Sequence, residues 1–194
     1  MLETMKAAIF DMDGTLLDSM TQWRRMNGAF VREMGIEPTE KQEADMMSMS
    51  GTMVVDYFRS EFGVDTDFEA LCARACEAME PIYSGGVPHK SGATAYLKRL
   101  RARGVKCVIA TATPARLAMI GLNCANLVSD LDYIFTTDML NLNKSQNAFF
   151  ERVSEIIGVP KEDCVMFEDS LYAMQGARNA GLGVVGITDA TNAR

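Results

Sequence analysis

Two carboxylates, Asp11 and Asp13, directly follow the apolar run at residues 7–10 and precede Gly14. Side chains two positions apart on a strand share a face, so both carboxylates are expected to point together out of the strand end. Like charges a few ångström apart repel one another unless a cation or a shared proton relieves them. An apolar strand that ends in this way is a poor way to build a core, but it is typical of a site for metal-assisted phosphoryl transfer.

The elements that position these carboxylates alternate along most of the chain. Five short apolar segments are predicted to be buried strands: residues 5–11, 105–111, 131–136, 163–168 and 183–187. Helical patterns lie between the later strands, and a glycine, which readily ends a helix, follows each one: residues 91–103 with Gly104, 146–157 with Gly158 and 171–180 with Gly181. The repetition predicts an α/β fold, in which a doubly wound, Rossmann-like parallel sheet is covered by helices on both sides.

Residues 18–88 interrupt this alternation, because they show helical patterns and no good strand. The capping-box pattern of a helix start occurs at residues 19–22 and again at residues 39–42, and further helices are expected near residues 52–62 and 67–83. The region is rich in methionine, which has two interpretations: flexible packing of a small helical bundle, or a methionine-rich recognition surface. The methionines in question are Met20, Met26, Met34, Met46, Met47, Met49 and Met53.

The ends of this helical region carry turn-forming residues. Asp18 and Ser19 begin it, and the segment 84–88, Ser-Gly-Gly-Val-Pro, is expected to be a hinge that returns the chain to the sheet. An all-helical insert between the first and second strands fits a cap over a site. We therefore predict a helical cap domain at residues 18–88 and an α/β core domain formed by residues 1–17 and 89–194.

Polar residues follow the other predicted strands where each strand ends. Thr111 and Thr113 follow the second strand, and Thr113 precedes a proline, which predicts that it caps a helix. Lys144 comes shortly after the third strand, and Glu168 and Asp169 end the fourth. Ligands of parallel sheets bind beyond the carboxyl ends of the strands, so these side chains are expected to converge. Acidic groups with one lysine suit a hard cation together with a phosphate.

Composition limits the partners and the compartment. The 194 residues carry a net charge of −7, which argues against nucleic acid or an anionic membrane as the main partner. No apolar run is long enough to span a bilayer, and the run before Asp11 is too short for a secretory signal. The five cysteines are an odd number without zinc-site spacing, so reduced thiols are expected. We expect a cytoplasmic protein, a small-molecule substrate and a monomer.

With these motifs in order, the chain resembles the haloacid dehalogenase-like hydrolases, in the subgroup with a helical cap that holds β-phosphoglucomutase and many sugar-phosphate phosphatases. The resemblance runs from Met5 to about Gly186. The opening motif, Asp-Met-Asp-Gly-Thr at residues 11–15, is very specific, and Phe-Glu-Asp-Ser at residues 167–170 is moderately specific.

The resemblance implies a role for each matching residue. Asp11 would attack phosphorus to form an aspartyl-phosphate, and Asp13 would act as the general acid and then as the general base. Thr111 and Lys144 would bind the phosphate. Mg²⁺ would be held by Asp11, the backbone carbonyl of Asp13, Asp169 and, through water, Glu168. The family usually places proline after the lysine, whereas Ser145 follows it here, so a solvated loop lysine is the alternative for Lys144.

Within the resemblance, a phosphatase of a small phosphate monoester, such as a sugar phosphate, is the favoured activity. Similar mutases carry a histidine on the first cap helix, where this chain has Trp23, and an arginine in the cap loop after Gly51, where it has Thr52. A β-phosphoglucomutase-like mutase is the main alternative, and a non-catalytic binding module on the same fold is a remote one. Trp23, Met49 and Thr52 are the cap residues expected to face the substrate.

Overall fold

The computed structural model describes residues 2–47, 49 and 51–189. Its strands are β1 (Ala7–Phe10), β2 (Lys106–Thr111), β3 (Tyr133–Thr136), β4 (Cys164–Glu168) and β5 (Gly183–Gly186). They form one parallel sheet in the order β3-β2-β1-β4-β5. The central position of β1 follows from its composition, because all four of its residues are apolar and buried.

The helices fall into two groups. The first group forms the insert that follows β1: α1 (Met20–Glu33), α2 (Glu40–Met47), α3 (Gly51–Phe62) and α4 (Phe68–Ser84). The helices that alternate with the sheet are α5 (Ala93–Ala102), α6 (Ala115–Cys124), α7 (Thr137–Leu140), α8 (Asn147–Ile157) and α9 (Leu171–Asn179). The predicted α/β class with a helical insert is confirmed. In the described part of the chain, no helix combines the length and apolarity needed to cross a membrane.

Both faces of the sheet are covered, as the doubly wound prediction requires. Phe10 of β1 stacks on Phe167 of β4, with ring centroids 4.8 Å apart, on one face. Ile9 points to the opposite face and packs in a cluster with Phe149 and Phe150 of α8. The alternation of neighbouring residues between two apolar layers explains why the strands read as continuous apolar runs.

The helical insert has an apolar cluster of its own. Phe30 of α1 stacks on Phe58 of α3 at 5.3 Å between ring centroids, with Val54 and Leu71 buried in the same cluster. Tyr83 of α4 belongs instead to the cluster that covers the sheet. The insert is therefore packed internally by α1 and α3, and α4 joins it to the core.

The local signals at helix ends had mixed outcomes. The predicted terminating glycines are confirmed as left-handed residues, with φ of 75° at Gly104, 65° at Gly158 and 94° at Gly181. The capping box at residues 39–42 is confirmed, because the Gln42 amide donates to Thr39 Oγ1 at 3.2 Å and the Thr39 amide to Gln42 Oε1 at 2.8 Å. At residues 19–22 the predicted helix start is confirmed, with Ser19 as the N-cap residue of α1, but the capping box is wrong, because the Ser19 hydroxyl donates to Asp13 and makes no cap hydrogen bond.

Candidate active site

The residues expected to converge do lie together at the carboxyl edge of the sheet. Asp11 directly follows β1, Thr111 is the last residue of β2, and Glu168 is the last residue of β4, followed by Asp169. All four side chains are buried. Since β1 lies between β2 and β4, the parallel register brings their ends to one place.

Lys144 reaches this edge from the loop between α7 and α8. Its Nζ lies 2.6 Å from Asp11 Oδ1 and 2.5 Å from Glu168 Oε2, and its side chain is only 2% exposed. Gly176 of α9 permits this approach, because a Cβ there would lie 2.1 Å from the Lys144 carbonyl oxygen. The alternative of a solvated loop lysine is therefore wrong. Burial lowers the pKa of Lys144, but the carboxylates of Asp11 and Glu168 outweigh burial and raise it, so the lysine is charged.

Three carboxylates lie close together at this edge, and Lys144 pairs with two of them, Asp11 and Glu168. Asp11, Glu168 and Asp169 each offer an oxygen within 4.8 Å of the others. Burial, followed by the negative charge of Glu168, raises the pKa of Asp11 well above its usual range. The same two causes raise the pKa of Asp169 to about 8. When all three carboxyls are ionised, they carry more negative charge than one lysine balances, which is the condition that a bound cation relieves.

The turn after β1 is shaped to receive a hard cation at this cluster. Gly14 has a φ of 82°, and a Cβ there would lie 2.3 Å from Asp169 Oδ2. The glycine therefore lets the main chain of the turn pass against the Asp169 carboxylate. Glu168 Oε1 also accepts the amides of Asp169 at 3.1 Å and Ser170 at 3.0 Å, which holds the carboxylates in place. An all-oxygen donor set of this kind fits Mg²⁺.

Asp13 sits beside this cluster in a separate set of hydrogen bonds from hydroxyl groups. Ser19 Oγ donates to Asp13 Oδ1 at 2.5 Å, and Thr113 Oγ1 donates to Oδ2 at 2.7 Å. Tyr83 Oη, from the last turn of α4, also donates to Oδ1. The prediction that Thr113 caps a helix is wrong, because Pro114 is the cap residue of α6 and the Thr113 hydroxyl is used by Asp13. Three hydroxyl donors from separate segments of the chain therefore fix the orientation of the Asp13 side chain.

A cavity of about 160 Å³ opens above Asp11 and Asp13. Its floor comprises the polar lining residues at or just after the ends of β1, β2 and β4: Asp11, Asp13, Thr111, Thr113, Glu168 and Ser170. Its roof comprises the lining residues of the helical insert: Met20, Trp23, Met26, Asn27, Met46, Met49, Gly51, Val54, Phe68, Leu71, Cys72 and Ala75. The cavity therefore lies where a ligand bound at the carboxyl edge would be enclosed by the helices.

Comparison with known proteins agrees with this arrangement. The family model of the haloacid dehalogenase-like hydrolases matches residues 5–181. The chain belongs to this family. It is 25% identical to the phosphorylated carbohydrates phosphatase of Thermotoga maritima, over 92% of this chain and 82% of that one. It is 28% identical to the phosphoglycolate phosphatase of Rhodospirillum rubrum, over 93% and 78%. A solved hydrolase from Pseudomonas syringae is similar at a TM-score of 0.81 and 25% identity, covering 93% of this chain and 84% of that one.

In this haloacid dehalogenase-like hydrolase, the three cap residues predicted to face a substrate are placed differently. Trp23 and Met49 line the cavity, whereas Thr52 is not among the lining residues in the described part of the chain. Its neighbour Gly51 lines the cavity instead, because α3 begins there. Four of the methionines are also in the roof, so the interpretation as a recognition surface applies to those four.

Tyr83 is a residue of this hydrolase's site that the sequence did not indicate. It is fully buried, and its hydroxyl accepts a hydrogen bond from Trp23 Nε1 at 3.1 Å while donating to Asp13. Burial and the neighbouring Asp13 raise the pKa of Tyr83 well above its usual value, so the phenol keeps its proton as a donor. Trp23 and Tyr83 thus connect the roof to Asp13 by two consecutive hydrogen bonds.

Proposed function

We propose that this hydrolase is a Mg²⁺-dependent phosphatase that acts on a small organic phosphate monoester through an aspartyl-phosphate at Asp11. The observation that supports this most is the buried group of Asp11, Lys144, Glu168 and Asp169 at the sheet edge, with Asp13 beside it under the same cavity. The names of the two phosphatase relatives support the same reaction class.

In the proposed reaction, an oxygen of the Asp11 carboxylate attacks phosphorus and the bond from phosphorus to the ester oxygen breaks. Asp13 gives a proton to the departing oxygen, then removes one from the water that attacks the phosphorylated Asp11. That second attack breaks the bond between phosphorus and Asp11 and releases inorganic phosphate. Because phosphoryl transfer needs mainly position and positive charge, the fixed contact between Lys144 and Asp11 is well suited to it.

The metal site of the proposal consists of Asp11, Asp169, the backbone carbonyl of Asp13 and, through water, Glu168. When bound, Mg²⁺ supplies positive charge to the phosphate oxygens. Thr111 would donate its hydroxyl to one of those oxygens, and it is held for this by the Thr113 amide, which donates to Thr111 Oγ1 at 3.0 Å. The excess negative charge of the metal-free cluster is what supports the presence of the cation.

The mutase alternative is less well supported, because a second phosphate would need a cation above the floor. Among the cavity-lining residues that the structure describes, there is no lysine, arginine or histidine. The binding-module alternative has no supporting observation, since each carboxylate of the reaction is in place. We also infer a cytoplasmic location, because all five cysteines are free and burial raises the pKa of the Cys107 thiol to about 11.

The division into a core at residues 1–17 and 89–194 and a cap at residues 18–88 is part of the proposal. The two connections are residues 18–19 and the glycines Gly85 and Gly86, where α4 ends. Closing of the cap over the floor would exclude all water except the attacking molecule.

The direct test is release of inorganic phosphate from p-nitrophenyl phosphate and a panel of organic phosphates, with Mg²⁺ or with EDTA. We expect Mg²⁺-dependent release that Asp11→Asn abolishes. Asp65→Asn is the matched control, because Asp65 is an exposed aspartate whose side chain is 96% accessible. Release that persists in Asp11→Asn would contradict the aspartyl-phosphate route, and release that EDTA leaves unchanged would contradict the need for a metal.

A further inference from the structure

The roof of the cavity is apolar in a way that the proposed reaction does not require. Trp23, Met26, Met49, Val54, Phe68 and Leu71 line it, and they come from α1, the α2–α3 connection, α3 and α4. Thioether and aromatic groups from four segments therefore meet the part of a substrate that extends away from the phosphate. Such surfaces adapt their shape to apolar ligands and interact well with aromatic rings.

Among the described residues, the roof carries no positively charged side chain, and such residues are sparse in the neighbouring sequence. No cationic side chain is among the described lining residues, and the chain carries no lysine, arginine or histidine between Lys41 and Arg59. Two arginines of the helical insert are engaged in ion pairs: Arg24 pairs with Glu43 at 3.4 Å, and Arg74 pairs with Glu77 at 3.0 Å. A carboxylate on the substrate body would therefore meet no cation in the roof.

The size of the cavity favours a compact substrate body as well. Its volume of about 160 Å³, which includes the space above the floor where the phosphate would bind, is close to the roughly 150 Å³ of an apolar cavity that holds a benzene ring. A sugar of similar volume would meet a polar side chain with an amide in the roof, Asn27, and would bring its other hydroxyl groups against methionine and leucine, where they would lose hydrogen bonds to water without replacement. An apolar ring or short alkyl group would lose nothing comparable.

We infer that the substrate is a phosphate monoester whose organic part is a compact apolar group, of aryl-alkyl or short alkyl type, without a carboxylate and without a sugar's ring of hydroxyls. This inference rests on the proposed phosphatase function and adds the substrate class. The roof binds the apolar group, and the floor holds the phosphate.

The kinetic test compares esters that all leave as primary alkoxides, so that leaving-group acidity does not decide the result. We would measure kcat/KM with Mg²⁺ for ethyl, butyl and benzyl phosphate, for a hexitol 6-phosphate and for 2-phosphoglycolate. We expect kcat/KM to rise by up to about fourfold per added methylene from ethyl to butyl. We expect benzyl phosphate to exceed the hexitol ester and phosphoglycolate by at least about tenfold. Equal or better turnover of either polar ester would overturn the inference.

A binding test separates this inference from the proposed function. Trp23 is the only tryptophan of the chain and lines the cavity, so its fluorescence reports occupancy without turnover. We expect benzylphosphonate to bind at least about tenfold more tightly than phosphonoacetate, and equal affinities, including no binding by either, would overturn the inference. Apolar preference in binding without hydrolysis of any ester would overturn only the phosphatase proposal. Hydrolysis with a preference for polar esters would overturn only the apolar class.

A charge introduced into the roof provides a third readout. Met49→Lys places a cation in the wall, and we expect it to raise kcat/KM for phosphoglycolate relative to benzyl phosphate by about tenfold. Met119→Lys is the matched control, because Met119 is exposed on α6 and outside the cavity lining. An unchanged ratio in a folded Met49→Lys protein would count against a roof that selects by polarity.

Discussion

The floor of the cavity carries buried carboxylates that share Lys144, whereas nine of the twelve described roof residues are methionine, aromatic or aliphatic. Floor residues are held to one another by short polar contacts between fixed atoms. Roof residues are held by packing, which many apolar side chains of suitable volume would satisfy. Transfer of a phosphoryl group requires particular atoms at particular distances. Enclosure of an apolar group requires only an apolar surface of suitable shape. Substitutions in the floor should therefore change the rate for every ester, and those in the roof should change which ester is preferred.

The largest expected effect comes from Lys144, which pairs with two carboxylates of the floor. Lys144→Met keeps the length of the side chain but leaves Asp11 and Glu168 without their shared cation. We expect kcat/KM to fall by about 10²–10³-fold for polar and apolar esters alike, as for the loss of one charge-stabilising donor. Phosphate release across the ester panel measures this.

The matched control is Lys161→Met, because Lys161 forms an exposed ion pair with Glu151 at 3.4 Å and also lies outside the helical insert. It should retain full activity, since exposed ion pairs contribute little. A Lys144→Met protein that lost activity toward some esters only would break the distinction between floor and roof.

The same contrast explains how far the sequence could predict the site. Asp11, Glu168 and Asp169 were found because each follows an apolar strand, and the order of parallel strands brings them together. Tyr83 was missed because it lies 70 positions from Asp13 and nothing near it in sequence marks a partner. Ser19 and Thr113 were assigned to helix starts because a hydroxyl there serves equally well as a cap or as a long-range donor. The roof methionines had two interpretations, since packing and cavity lining need the same apolar surface.

Metal binding should be the next largest effect, and it depends on the floor carboxylates Asp11 and Glu168 with the neighbouring Asp169, and on no residue of the roof. At a Mg²⁺ concentration of about 100 times Kd, the metal should stabilise the fold by about 2.7 kcal/mol. For a chain of this size, that corresponds to a rise in Tm of about 5–10 °C. Asp169→Asn should abolish the rise, and Asp65→Asn should keep it. A full rise in Asp169→Asn would place the cation elsewhere.

This stabilisation should depend on pH in a defined direction. The pKa of Asp169 is raised to about 8 without metal, so the folded chain holds this proton more tightly than the unfolded chain does. The contribution of Asp169 to the free energy of unfolding of the metal-free protein is therefore greatest at acid pH, and it is lost as the pH rises toward 8. Mg²⁺ must displace that proton, so the rise in Tm should be larger at pH 8 than at pH 6. Thermal melts with EDTA and with Mg²⁺ at both values measure this, and a smaller rise at pH 8 would contradict it.

A smaller effect is expected at the connection between roof and floor. Tyr83→Phe removes the hydroxyl that donates to Asp13 and accepts from Trp23, while keeping the buried ring. If Tyr83 positions Asp13 for proton donation, kcat/KM should fall by about tenfold for alkyl phosphates, whose oxygen needs a proton to leave. It should change little for p-nitrophenyl phosphate, because its phenolate oxygen leaves without receiving a proton. Tyr133→Phe, at an exposed position of β3, is the control. An equal loss for both ester types would indicate a purely structural role.

The smallest effect is expected at the proposed hinge, where floor and roof would move relative to each other. Gly86 has a φ of 89°, which alanine adopts only with strain, and Gly85 precedes it at the end of α4. Replacing both by alanine should lower kcat several-fold by hindering closure, while the rise in Tm caused by Mg²⁺ stays unchanged, because the floor is intact. Gly35→Ala is a close control, since Gly35 has a φ of 77° in open space within the helical insert. If both variants slow turnover equally, backbone strain alone accounts for the loss; if neither does, the roof reaches the floor without bending at these glycines.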